Sequence, residues 1–206
     1  MRIVKTEVIA TALKLLDEVG MEGLTMRKLA DALNIQAPSL YWHFANKEAL
    51  LEGMADALME PVAADNPEGE AWDTRLGRVA CEVRDALLSR RDAARVFAGT
   101  YPLSENVLRV GSLLISCLKE AGADDRTASW GAFTLVYFVI GFVIEEQALR
   151  GVKTNSDREE EQVAAEFPLA AIAMREIAGA NADHRFAFGL DLQIRALRVL
   201  IGEMRR

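Results

Sequence analysis

The run "QAPSLYWHFANK", Gln36 to Lys47, sets Tyr41, Trp42, His43 and Phe44 in a row between a proline and a lysine. Read as a helix at about 100° per residue, it places Leu40 and Phe44 on one side, free to pack on a neighbour. Pro38 and Trp42 then lie opposite, with Ser39 and His43 along one edge and Tyr41 along the other. That composition suits a helix laid in the DNA major groove, where apolar atoms meet thymine methyls and hydroxyl or imidazole groups reach base edges or phosphates. Upstream, Thr25, Arg27 and Lys28 are suited to the flanking phosphates. Lys47 stands at the start of the following helix, where free backbone N–H groups already favour an anion. The structural alternative is a helical bundle with a crowded aromatic corner.

Such residues work only if short helices hold them. Val8, Ile9, Ala12, Leu13, Leu16 and Val19 recur at helical spacing, and Gly20 follows where a C-terminal glycine cap belongs. Thr25 can cap a second helix from Met26 to about Leu33, burying Leu29, Ala30 and Leu33. The turn "NIQA" leads into a third helix with Pro38 in its first turn, where a missing N–H costs nothing. Asn46 caps a fourth, running through Ala49, Leu50, Met54 and Leu58 to a break at Pro61. Two short helices joined by a tight turn define helix-turn-helix geometry.

"PVAADNPEGE", Pro61 to Glu70, has the composition of a connection between modules. Helical segments are predicted at roughly 71–88, 92–98, 104–121, 126–149, 168–178 and 184–204, and a polar, highly charged loop at 151–162. No strand-like alternation is long enough to matter. The predicted fold is therefore all-α: an N-terminal helix-turn-helix DNA-binding domain over residues 1–60, joined to a larger helical ligand-binding and dimerisation domain over 61–206.

Charge agrees with that division. The chain of 206 residues carries a net −7, yet Met1 to Glu48 holds six basic and six acidic residues, so the remainder carries the whole excess. Between Thr25 and Lys47 the balance turns basic, as a phosphate-contacting face requires. Cys81 and Cys117 form no C-x-x-C pair. The longest apolar run, Leu135 to Ile144, falls short of the roughly 18 residues of a membrane span, and the N-terminus is not a secretory signal. A cytoplasmic protein with no membrane partner is expected. Without a Gly-rich phosphate loop, a nucleophile elbow or His-Glu metal spacing, it is not expected to be an enzyme or to need a cofactor or metal.

"LTMRKLADALNIQAPSLYWHFANKEALL" resembles the DNA-binding region of the TetR family of bacterial transcriptional regulators. The similarity to tetracycline repressors continues, more loosely, through "EGEAW", "ALLSRRDAARVFAGTYP", "GFVIEEQ" and "FAFGLDL". The resemblance implies a recognition helix presenting Ala37, Pro38, Ser39, Tyr41, Trp42 and His43 to DNA, supported by Thr25, Arg27 and Lys47. Met26 and Ala37 stand where tetracycline repressors carry polar DNA-contacting side chains, which implies a different operator.

A single head reads too short a site, so two copies reading a palindrome are expected. The last helix offers a stripe of Phe188, Leu192, Ala196 and Val199 beside Leu190, Ile194, Leu197 and Ile201, wider than packing within one protomer needs. The resemblance implies that it pairs with the segment from Trp130 to Leu149 in a four-helix homodimer interface. It also implies a small-molecule pocket, for which Val79, Val83, Phe97, Thr100, Trp130, Phe133, Tyr137 and Phe138 are the candidate lining residues. Phe97, Val79 and Val83 fall where the tetracycline repressors place a His and polar ligands for a magnesium–drug chelate. A small, largely apolar organic effector is expected instead, and Glu145 and Glu146 are read as a solvated or dimer-edge pair. Two other readings stay open: a constitutive DNA-binding protein with a filled core, and an all-α ligand-binding protein that does not read DNA. A missing cavity would favour the first, and buried Tyr41 and Trp42 the second.

Overall fold

The computed structural model describes residues 3–100, 103–149, 157–179 and 181–204, and over these the chain forms eleven α-helices and no strand. The N-terminal four are α1 (Lys5–Gly23), α2 (Met26–Ala32), α3 (Ala37–Tyr41) and α4 (Lys47–Met59). Val8, Ala12 and Leu16 of the predicted stripe are fully buried, and Leu15 joins them. Gly20 stands at φ +69°, and a Cβ there would approach the Asp92 carboxylate to 2.9 Å, so the position requires glycine on two counts. The helix resumes for a short turn to Gly23 before the chain bends into α2. The Thr25 hydroxyl accepts the Lys28 N–H at 3.2 Å, and the Asn46 side chain accepts the Ala49 N–H at 2.8 Å, as the capping patterns predicted. Helix α3 is shorter than predicted: after Tyr41 the chain tightens, the N–H groups of His43 and Phe44 both reaching back to the Leu40 carbonyl.

The remaining helices are α5 (Trp72–Leu88), α6 (Ala93–Ala98), α7 (Glu105–Glu120), α8 (Asp125–Leu149), α9 (Asp157–Glu166), α10 (Pro168–Gly179) and α11 (Ala182–Met204). Two apolar cores result. One gathers Leu16, Leu24, Leu29, Leu40, Phe44, Leu50 and Met54 from α1–α4 and is completed by Val96 of α6. The other is built by α5, α7, α8 and α11 around Leu76, Val79, Leu87, Leu114, Leu118, Leu135, Val139 and Phe186.

One further expectation needs correction. The segment read as a polar loop through Gln162 is helical from Asp157 onward; positions 151–156 lie outside the described residues. The connection after α4 is not loose at its start, because Val62 and Ala63 are buried and the Ala63 N–H donates to Glu82 at 2.6 Å. Helix α8 is by length and composition apolar enough to cross a bilayer. Ala128, Ala132, Leu135, Val139 and Val143 instead bury its inner face against α5 and α7.

Candidate nucleic-acid interface

Helix α3 is held by Leu40 and Phe44, exposed by 0% and 2%. Fully burying such side chains is worth roughly 1.5–3 kcal/mol each, enough to fix a five-residue helix that could not stand alone. Gly53 of α4 lets the Phe44 ring approach its backbone, and Lys5 places its ammonium 5.1 Å from that ring's centre. With the inner face fixed, the outer face is displayed. Trp42 is 89% exposed and Tyr41 51%, with Pro38 and Ser39 also exposed and Ala37 and His43 partly covered. A tryptophan ring so fully in water, on a helix otherwise secured, has no role in the fold of this chain by itself.

Arg27 and Lys28 of α2 are exposed, and neither engages an acceptor through its side chain among the described residues. Thr25 still has a hydroxyl proton to donate after capping α2. Lys47 is partly covered, and its ammonium donates to the Met21 carbonyl at 3.3 Å. Two of its three N–H donors remain for another acceptor. Most of the candidate DNA-contacting side chains are thus exposed, whereas Lys47 is partly covered and tethers α4 to the end of α1.

The candidate effector residues do not share one space. Val79 and Val83 are buried in the core of the body, and Phe97 and Phe138 pack against it. The Thr100 hydroxyl donates to the Phe97 carbonyl at 3.0 Å. Trp130, Phe133 and Tyr137, by contrast, are 68%, 47% and 61% exposed. They recur on the face of α8 turned away from Leu135 and Val139, the Phe133 and Tyr137 rings 6.0 Å apart. The cause is that α8 is apolar on all sides, so an aromatic on it need not point inward. On α11 the predicted stripe divides likewise: Leu190, Leu197 and Ile201 are buried, whereas Phe188, Leu192 and Val199 are exposed, as are the aromatics of α8.

Several polar links escape sequence reasoning because their partners lie far apart in the chain. Arg84, only 7% exposed, meets Glu146 through both carboxylate oxygens at 2.9 and 3.1 Å and Asp183 at 2.8 Å. Its guanidinium lies 4.8 Å from the Phe186 ring centre. Burial alone would lower its pKa, but the two carboxylates outweigh that and raise it. Glu146 is thus neither solvated nor half of a pair with Glu145. A second set joins the head to the body: Asp17 accepts from Arg90 at 2.8 Å and from the Arg91 N–H at 3.0 Å, and Asp92 accepts the Met21 N–H at 2.9 Å. Among the described residues, no three His, Cys, Asp or Glu side chains are grouped as a metal ion would need. Phe97, Val79 and Val83 carry no side-chain oxygen or nitrogen that could ligate a metal ion.

Fold and surface together define a helix-turn-helix head on a helical companion body. The family model for bacterial regulatory proteins of the tetR family matches residues 8–54, and the tetracyclin repressor-like C-terminal domain matches residues 64–201. The chain belongs to the TetR family of ligand-responsive bacterial transcriptional regulators. It is 39% identical over 189 residues to the class G tetracycline repressor protein of Vibrio anguillarum, covering 91% of this chain and 90% of that one. A possible TetR family transcriptional regulator from Streptomyces coelicolor A3(2) superposes with a TM-score of 0.86 at 35% identity, over 96% of this chain and all of the other (100%). The structure of BioQ with its natural double-stranded DNA operator matches at a TM-score of 0.72 and 28% identity, over 96% and 99% of the two chains.

Proposed function

We propose that this chain is a repressor that acts in the cytoplasm and binds palindromic operator DNA as a homodimer until a small, largely apolar organic effector releases it. The observation that carries the reading is the contrast across α3 and the turn that ends it: Leu40 and Phe44 are buried, while Tyr41 and Trp42 stand in water. Ala37, Pro38, Ser39, Tyr41, Trp42 and His43 read the groove, and Thr25, Arg27, Lys28 and Lys47 hold phosphates. The outward aromatics of α8 and the Phe188, Leu192 and Val199 stripe of α11 supply the surface that a second copy covers. Residues 1–60 act as the reading head and 61–206 as the body that sets the spacing of two heads.

The missing polar ligands at Val79, Val83 and Phe97 argue for an effector other than a magnesium–tetracycline chelate. The test is fluorescence anisotropy of labelled DNA from the gene's own upstream region against a scrambled duplex, at low and moderate salt. Binding that survives moderate salt only for the native sequence is the expected result. Absence of binding to either duplex at low salt would remove the DNA-reading claim.

A further inference from the structure

Helix α1, the end of α4 and helix α5 border an open cleft of about 430 Å³ at the seam between head and body. That volume lies within the roughly 300–1,000 Å³ of sites that hold drug-sized molecules. Its walls are mainly aliphatic, from Leu13, Leu58, Pro61 and Ala86, and two carboxylates, Glu82 and Asp85, border it. Glu82 is already neutralised, accepting from the Ala63 N–H and from Arg78, each at 2.6 Å. Arg90, also at the rim, is held by Asp17 at 2.8 Å. Asp85 has no hydrogen-bonding or ion-pair partner among the described residues. The cleft therefore combines an apolar interior with one unneutralised negative charge. Asp85 stands exposed at its edge, so an anion beside it would meet a like charge and a cation an opposite one.

We propose that this cleft is a regulatory binding site for an apolar organic monocation, its body between Leu13, Leu58 and Pro61 and its charge against Asp85. The proposal rests on the reading of the chain as a DNA-binding regulator, and it places an effector at the seam rather than among the residues around Val79 and Tyr137. A guest there bears at once on the head, through Leu13 and Leu58, and on the body, through α5. The Arg90–Asp17 link spans the same seam, so a guest that widens it strains a contact that sets the head's direction. Ligand affinity and head orientation are thereby coupled through one small gap.

Full-length protein without DNA is titrated calorimetrically with thioflavin T, tetraphenylphosphonium and crystal violet, with fluorescein as an anionic control. At least one cation is expected to bind once per chain in the micromolar range. Asp85→Asn should weaken it at least tenfold, Asp85→Glu should retain it, and Ala57→Trp should abolish it by filling the cleft. No binding by any of the three cations, or equal binding to the Asp85→Asn and Ala57→Trp proteins, overturns the site. In a second measurement, the cation that binds in the calorimetry, at a concentration that fills the wild-type site, should change wild-type affinity for the upstream DNA at least fivefold and change that of Asp85→Asn less. An unchanged wild-type affinity overturns the regulatory role. A wild type that binds no DNA without the cation defeats the regulator reading, and the regulatory role falls with it, while the calorimetry judges the site alone.

Discussion

Asp56 and Arg109 clasp α4 and α7 in opposite directions. The Asp56 carboxylate accepts the Asn106 N–H at 2.8 Å and the Val107 N–H at 3.3 Å, closing the exposed start of α7. Arg109, one turn further along α7, donates to the carbonyls of Met59 at 3.0 Å and Val62 at 2.7 Å, closing the end of α4. Each helix thus satisfies the terminal groups that the other leaves open. Because α4 carries the reading head and α7 belongs to the body, the pair transmits the position of one to the other.

Replacing Asp56 by Ala should cost about 0.5–2 kcal/mol of stability, the usual value of a lost N-cap, measured by urea denaturation at pH 7. Partial burial raises the Asp56 pKa, but the hydrogen bonds at the start of α7 outweigh it and hold the carboxyl below its ordinary value. A carboxyl depressed in the folded state contributes stability above its unfolded pKa, about 3.9, and loses it as pH falls through the lower folded value. The difference between wild type and Asp56→Ala should therefore shrink below about pH 4. A difference that grows under acid would contradict the assignment.

Tyr41→Ala should weaken binding to the upstream DNA by one or more decades with little change in melting temperature, because the ring lies beside the Leu40 and Phe44 anchor. Trp42→Ala should behave in the same way, its stability within about 0.5 kcal/mol of wild type. Leu40→Ala, in contrast, should lose about 2–5 kcal/mol and DNA binding together. Anisotropy and thermal melting on the same preparations separate the two classes.

The Arg84 cluster predicts an asymmetry between its two acids. Glu146→Ala leaves a buried guanidinium short of its main partner and should cost about 3–5 kcal/mol. Asp183→Asn, at a side chain 68% exposed, should cost no more than about 1 kcal/mol. Chemical denaturation of both variants, with equal costs as the adverse outcome, decides it.

Leu192→Glu combined with Tyr137→Asp places charge on the outward faces of α11 and α8 without touching either core. Sedimentation velocity should show monomers, each with a normal melting profile. Affinity for a palindromic site should fall to that of a single half-site, while a persistent dimer would refute the assigned face.

Much of the head could be read from residue types alone. Val8, Ala12 and Leu16 recur at the helical period, Thr25 and Asn46 are capping residues, and Gly20 marks a left-handed turn, so local chemistry specified local geometry. Leu40 and Phe44 were legible as an anchor because they stand four residues apart, and the turn that ends α3 keeps both on the inner side. The body was less legible. An all-round apolar helix such as α8 gives no periodic signal of which face is inward, and Trp130, Phe133 and Tyr137, grouped by sequence with Val79 and Val83, stand exposed where the two valines are buried. Arg84 and Glu146 lie 62 residues apart, and nothing in either neighbourhood marks them as partners. Helix α9, dominated by charge, has no apolar stripe by which its sequence would mark it as a helix.

Val96 has a consequence for anyone who would transplant this head. It is a fully buried member of the N-terminal core, yet it comes from α6, beyond the Pro61 break. A graft of residues 1–60 onto a foreign body would arrive with an unfilled socket between α1 and α4, costing about 1–3 kcal/mol before any new contact was made. The portable piece of this molecule is therefore not a contiguous stretch of chain. It is the first four helices together with one short helix borrowed from the other half.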